Sequence, residues 1–217
     1  MKETKHIHFS IIFLLFALYC LNTNAGNNAK VILDKTAATI NSAGDIKASF
    51  IATAFNGTTE QGSTSGTIYI HKNKIHLESE NIKYWFDGTT LWAYMKENNE
   101  VNISNPTPEE QQTFNPYVFV NLYKQGYSYK QTDDTTIRGK QCYSIILQAK
   151  NKSKSIQEIR LTIDKSNYQP LCIRLRNNKS SWTRISITNC QTKQNFKAST
   201  FQFNSKDFPN VEQIDLR

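Results

Sequence analysis

Only a few residues in this chain have types and spacings that could do chemistry. His71 and His76 flank a turn, with Glu78 and Glu80 close behind them. Two imidazoles and two carboxylates can ligate zinc, but this spacing makes a poor closed set, and two surface histidines without further role are the plainer expectation. Cys142, Cys172 and Cys190 have no histidine or helix start nearby in sequence to activate a thiolate, so they do not read as nucleophiles. An oxidising compartment would permit one disulfide among the three and leave one thiol over, with the pairing open. Asp133-Asp134 offers at most a loose cation site, and a solvated loop explains it as well. No Gly-x-Ser-x-Gly elbow, Walker loop, His-Glu-x-x-His or cysteine cluster occurs. The expectation is a binding protein with no catalytic residue, no metal and no cofactor.

Charge narrows the partner. The chain carries 26 basic and 18 acidic residues, a formal net charge of +8. The basic residues are scattered along the chain and form no single run, which argues against nucleic acid. A diffuse positive surface serves solubility and suits contact with anionic lipid or an acidic partner.

Apolar surface must then carry the binding, and the stretch from Lys83 to Tyr94 concentrates it. Two aromatic runs flank Asp87-Gly88, a strong hairpin signal. A two-residue loop would pair Phe86 with Thr89, and a four-residue loop would pair Phe86 with Leu91. Both registers give the same faces, because side chains alternate with period two. Trp85, Trp92 and Tyr94 share one face; Tyr84, Phe86, Leu91 and Ala93 share the other. Both are apolar, so the hairpin must cover something on each side. Either it lies in an ordinary sandwich core, or one face packs under helices while the other lines a cavity.

The rest of the chain supplies the frame. Lys2 and Lys5, the apolar run of residues 11–21 and the small residues before Gly26 read as a signal peptide over residues 1–25, cleaved after Ala25. The run is too short for a permanent span, and Tyr19 disfavours lipidation at Cys20. Residues 26–217 remain, enough for one well-buried domain with a charge of +7 once Lys2, Lys5 and Glu3 are removed. Ala29, Leu33, Ala37 and Ile40 recur at helical spacing, and Gly44 stops the helix. Strands are expected over residues 46–55, 67–71, 74–78, 82–86, 90–95 and 100–104. After a helical interruption they resume over 141–149, 157–164, 169–176, 182–191 and 199–203. The interruption holds a capping box at Thr107-Pro108-Glu110 and a second short helix over 117–124, apolar almost all round. About eleven antiparallel strands cannot lie flat and must curl into a barrel or half-barrel.

The segment Phe86-Asp87-Gly88-Thr89-Thr90-Leu91-Trp92-Ala93-Tyr94 resembles the "DGKTLWxY" hairpin of the periplasmic outer-membrane lipoprotein carriers, the LolA-like family. Gly66-Thr67-Ile68-Tyr69-Ile70 and Phe201-Gln202-Phe203 fit the same pattern. Residues 101–110 and 211–217 are similar to a divergent bacterial branch. The resemblance covers the whole mature chain, although only the hairpin is specific.

It implies a mainly β fold: one antiparallel sheet curled into a half-open barrel, an N-terminal helix and a two-helix lid. The implied function is a periplasmic, monomeric carrier that shields acyl chains in an apolar cavity. Its implied partners are lipid-modified proteins as cargo, an inner-membrane lipoprotein-release transporter and an outer-membrane acceptor, with no nucleic acid. On this reading Trp85, Trp92 and Tyr94 face the cavity, while Phe114, Phe119, Leu122 and Tyr123 close it. Family members often place an Arg-Pro pair after the second strand to latch the lid. Here Lys72-Asn73 stands in that place, and lysine lacks the bidentate fork of arginine. Two alternatives are a membrane-anchored receptor of the same fold, held through Cys20, and a lipid-sensing regulatory domain that recognises a protein partner.

Overall fold

The computed structural model describes residues 24–111, 114, 121–177 and 180–217. One long helix, α1 (Asn24–Ser42), precedes a single sheet. Ala29, Ile32, Leu33, Thr36 and Ala37 fall on one helical stripe and are all buried. The helix ends where Gly44 adopts φ +68°, a conformation that side-chain-bearing residues resist.

The strands are β1 (Asp45–Asn56), β2 (Thr59–His71), β3 (Lys74–Ser79), β4 (Ile82–Phe86), β5 (Leu91–Met95) and β6 (Glu100–Ser104). They continue as β7 (Tyr127–Ile137), β8 (Lys140–Ala149), β9 (Ile156–Asp164), β10 (Pro170–Asn177), β11 (Ser181–Gln194) and β12 (Glu212–Asp215). Spatially they run β12-β6-β5-β4-β3-β2-β1-β11-β10-β9-β8-β7. Two hairpin meanders are thus joined along β1 and β11. All pairs are antiparallel except β12, which lies parallel to β6. The two edges, β12 and β7, do not pair, so the curled sheet stays open.

Curvature has local causes. β1 carries register shifts between Asp45 and Lys47 and between Ser49 and Phe50, the bulges that bend a strand. Across from Phe50 stands Gly66, where an added Cβ would lie 2.4 Å from the Glu78 carbonyl and 2.7 Å from the Phe50 ring. Only glycine lets the ring lie flat on the sheet there.

The Asp87 hairpin takes the longer register, with Phe86 opposite Leu91. Asp87 Oδ1 accepts from the amides of Thr89 and Thr90 at 2.9 and 2.8 Å, closing the turn with its own side chain.

Three expectations need correction. Among the described residues the sheet has twelve strands, not about eleven, because β7 and β12 both form. β7 hides behind the bulge at Asp133-Asp134, which breaks its alternation, and β12 is short and polar. Residues 199–203 are not a strand; a 3-10 turn spans Ala198–Phe201. Nor is there a two-helix lid among the described residues. The Thr107 capping box forms, with the Thr107 amide donating to Glu110 Oε2 at 2.8 Å and the Glu110 amide to Thr107 Oγ1 at 3.3 Å. Among the described residues it starts the single turn Pro108–Gln111. Of the second expected helix, residues 117–120 lie outside the described residues; Leu122–Lys124 form a 3-10 turn.

Candidate functional site

Two buried clusters occupy the helix side of the sheet. Beneath α1, Ala29, Ile32 and Leu33 pack on Ile145, Leu147, Ile159, Leu161 and Ile163. Further round the curl, Ile46, Ala48, Ile68, Ile70, Ile75 and Phe86 form a second cluster. The chain around α1 reaches this second cluster only at the helix end, through Ile40 in the last turn and Ala43 just beyond it.

A cavity of about 250 Å³ lies between them. Its floor comes from Ala48, Phe50 and Ala52 of β1, Ile68 and Ile70 of β2, and Ile185 and Ile187 of β11. Thr39 and Ile40 of α1 and Ala43 just after it form one wall; Leu77, Tyr84 and Phe114 form another. The hollow has a sequence cause. β1 puts alanine at two inward positions where a filled core would carry Leu or Phe, and α1 ends before it can cover them. Phe114 ties the segment after β6 to the sheet, with its ring 5.5 Å from that of Phe86 and 6.4 Å from that of Tyr84. Burial pushes the Tyr84 hydroxyl pKa up, so it stays neutral.

A second cavity of about 560 Å³, lined mostly by residues with polar side chains, adjoins the end of α1. Asn41, Asp45, His71, Lys72, Asn73, Gln111 and Gln125 line it. Lys72 sits in the β2–β3 turn at φ +54° and shares the lining of this cavity with Gln111 and Gln125.

The expected site residues divide. Phe114 lines the apolar cavity. Trp85 and Tyr94 do not: they lie on the opposite face, under the chain's own C-terminal segment. Trp85 is 6% exposed, edge-on to Phe203 and Phe208 with centroids 5.5 Å away in each case, and Tyr94 packs 4.8 Å from Phe208. Trp92 pairs directly with Trp85 and shares its face. The choice of inner face is therefore corrected; Tyr84 and Phe86 point inward instead. Leu122 and Tyr123 are buried beneath α1 in the first cluster, where Tyr123 Oη donates to Asp34 Oδ1 at 2.5 Å. Phe119 lies outside the described residues.

The other chemically capable residues serve structure. His76 is not at the surface: it stacks between Tyr69 and Trp85 at 5.2 and 5.1 Å, and burial pushes its pKa down. His71 Nδ1 donates to Asp45 Oδ1 at 2.5 Å, and Asp45 Oδ2 accepts from the Phe196 amide at 2.8 Å. Burial works to raise the Asp45 pKa, but these hydrogen bonds outweigh it and hold the carboxyl below its usual value. The three thiols stand free, and burial pushes each one up, the reverse of what a nucleophile requires. Among the described residues no three His, Cys, Asp or Glu groups converge to hold a metal ion.

A family model described as outer membrane lipoprotein carrier protein LolA matches residues 20–179. An uncharacterized protein of Methanocaldococcus jannaschii is 24% identical over 169 residues, covering 77% of this chain and 49% of the relative. The chain thus spans about half the length of that relative. An uncharacterized conserved protein from Thermus thermophilus is similar with a TM-score of 0.58 at 10% identity, over 87% of this chain and 99% of that one. A LolA superfamily protein from Nitrosomonas europaea gives a TM-score of 0.46 at 10% identity, over 81% and 97%. At 10% identity the likeness to the Thermus thermophilus protein speaks for the fold alone.

Proposed function

Because the chain belongs to the outer membrane lipoprotein carrier family, we propose that it is an exported carrier that shelters the acyl chains of lipid-modified proteins. The apolar cavity between α1 and β1 is the observation that supports this reading. Each methylene removed from water is worth about 0.8 kcal/mol, so a lipid anchor needs such shelter to cross an aqueous space. Binding, not catalysis, is the proposed task.

The cavity is slightly smaller than the roughly 300–1,000 Å³ of typical small-molecule sites. Cargo entry therefore calls for Phe114 to move away from Tyr84 and Phe86. Lys72, which lines the second cavity together with Gln111, is the proposed latch of the closed form. Release of cargo then requires a receiver that binds acyl chains more tightly than the closed form does. The periplasm is the proposed compartment, with delivery to an outer-membrane acceptor.

The test is identification of what copurifies with the mature protein after gentle extraction. Acylated proteins or their lipids are the expected result; a lack of any acylated species overturns the reading. Mass spectrometry of the processed amino terminus separates carrier from anchored receptor: Gly26 first supports the carrier, and a lipid on Cys20 the receptor.

A further inference from the structure

The outer face of the sheet over β9, β10 and β11 carries an arginine ladder that the scatter of basic residues in sequence hides. Arg160 pairs with Arg174, and Arg174 with Arg184, directly across three adjacent strands. The same row continues through Ile146 to Lys130 on β7. Arg176 stands two residues along β10, opposite Glu158 and Trp182. Three guanidiniums thus lie within roughly 10 Å, two strand spacings.

Like charges placed directly opposite on a sheet repel. Here the repulsion is managed, not removed. The Trp182 ring receives Arg160, Arg174 and Arg176 at 5.0, 5.2 and 5.6 Å, and Phe55 receives Arg184 at 4.9 Å. One carboxylate, Glu158, accepts from Arg160 at 2.6 Å and from Arg176 at 3.0 Å. Arg174 and Arg184 have no part in that ion pairing, and Arg174 Nε is buried without a hydrogen-bond acceptor. A row of like charges that a fold manages but does not remove marks a place with another use.

We propose that this ladder docks the protein on an anionic membrane surface, with the guanidiniums taking the phosphodiester oxygens of lipid headgroups. Guanidinium presents a planar fork that matches phosphate. The alternative of an acidic peptide fits the surroundings less well. These strands are interior to the sheet and offer no free edge, and both cavities described above open elsewhere. A convex face with arginines around a half-buried tryptophan suits a broad surface. Ile185 and Ile187 floor the cavity from the other side of β11, so docking leaves the cavity unobstructed. This inference goes beyond the carrier reading and stands without it.

The test is cosedimentation of the mature protein with vesicles of phosphatidylcholine alone or with about 30% phosphatidylglycerol, at low and physiological salt. Binding to the anionic vesicles only, weakened by salt, is expected. Arg174→Gln with Arg184→Gln keeps the Glu158 ion pairs and should lower that affinity roughly thirtyfold. Lys197→Gln with Lys206→Gln removes the same charge elsewhere and should change it less than about threefold. Failure to bind anionic vesicles, equal losses in both variants, or tighter binding to soluble polyglutamate overturns the proposal. Uptake of a fluorescent fatty acid, read separately, should be unchanged in the arginine variant. A parallel loss of uptake would make the ladder a structural support of the cavity and overturn it as well.

Discussion

On the helix side, the sheet under α1 is solid, while the sheet beyond the end of α1 is hollow. On the far side the roles reverse. The hollow half is covered by the chain's last twenty residues, whose Phe203 and Phe208 seal Trp85. The solid half is left bare, with arginines on its surface. Each half therefore has one dry, well-packed face and one face open to something else. Stability and binding are thereby assigned to different side chains, and substitutions can pull them apart.

The largest loss of stability is expected at the sealed face of the hollow half. Trp85→Ala removes a ring that is 6% exposed and touches His76, Phe203 and Phe208, and should cost about 3–5 kcal/mol. Chemical denaturation measures the loss. The folded fraction should still take up an acyl probe, because Trp85 is not at the cavity wall. Loss of uptake in folded protein would reverse the assignment of faces.

Leu33→Ala tests the solid half. Leu33 is fully buried against the sheet under α1, and the cost should be about 2–5 kcal/mol, again with uptake retained per folded molecule. Ala48→Leu is the opposite experiment. It adds three carbons to the cavity floor, where space exists to take them, so stability should shift by less than about 1.5 kcal/mol. Acyl uptake should fall at least about tenfold, since the leucine occupies room the ligand needs. If Ala48→Leu destabilises as strongly as Leu33→Ala while uptake persists, the hollow is packed and the contrast between the halves fails.

Much of this contrast was legible in the sequence, and its limits are physical. Alternation sorted Trp85 and Trp92 from Tyr84 and Phe86 correctly, because side-chain period is local. It could not tell which set faces inward. That is settled by Phe203 and Phe208, more than a hundred residues away, and Phe201-Gln202-Phe203 itself looks like a strand although its first residue closes a 3-10 turn. The α1 stripe and its glycine stop were readable for the same local reason. The arginine ladder was not, since Arg160, Arg174 and Arg184 meet only through the register of three strands. The cavity lining was half visible: the family resemblance pointed to Phe114, but Ala48 and Ala52 matter for what they leave empty, and no motif marks a missing side chain.

The smallest effect concerns pH at the sealed face. His76 lies between Tyr69 and Trp85, with the Glu78 carboxylate 3.4 Å from Nε2 and Lys83 nearby. Burial lowers its pKa; Glu78 opposes that and Lys83 adds to it. The unfolded chain then takes up a proton on this ring more readily than the folded one. The stability His76 contributes is complete above its ordinary value of 6.5 and declines as pH falls below it toward the folded value. Thermal denaturation between about pH 8 and 5 should show the melting temperature falling on the acid side of that window. His76→Phe keeps a ring in the stack and removes the proton site, so its profile should be flatter there. Asp45 acts only at lower pH, because its carboxyl is held below the usual range while it ties Phe196 to β1. Asp45→Asn should therefore leave the histidine limb intact and alter only the steeper acid limb. Should the two variants flatten the same limb, the covering segment is held by one coupled group and not by two separate contacts.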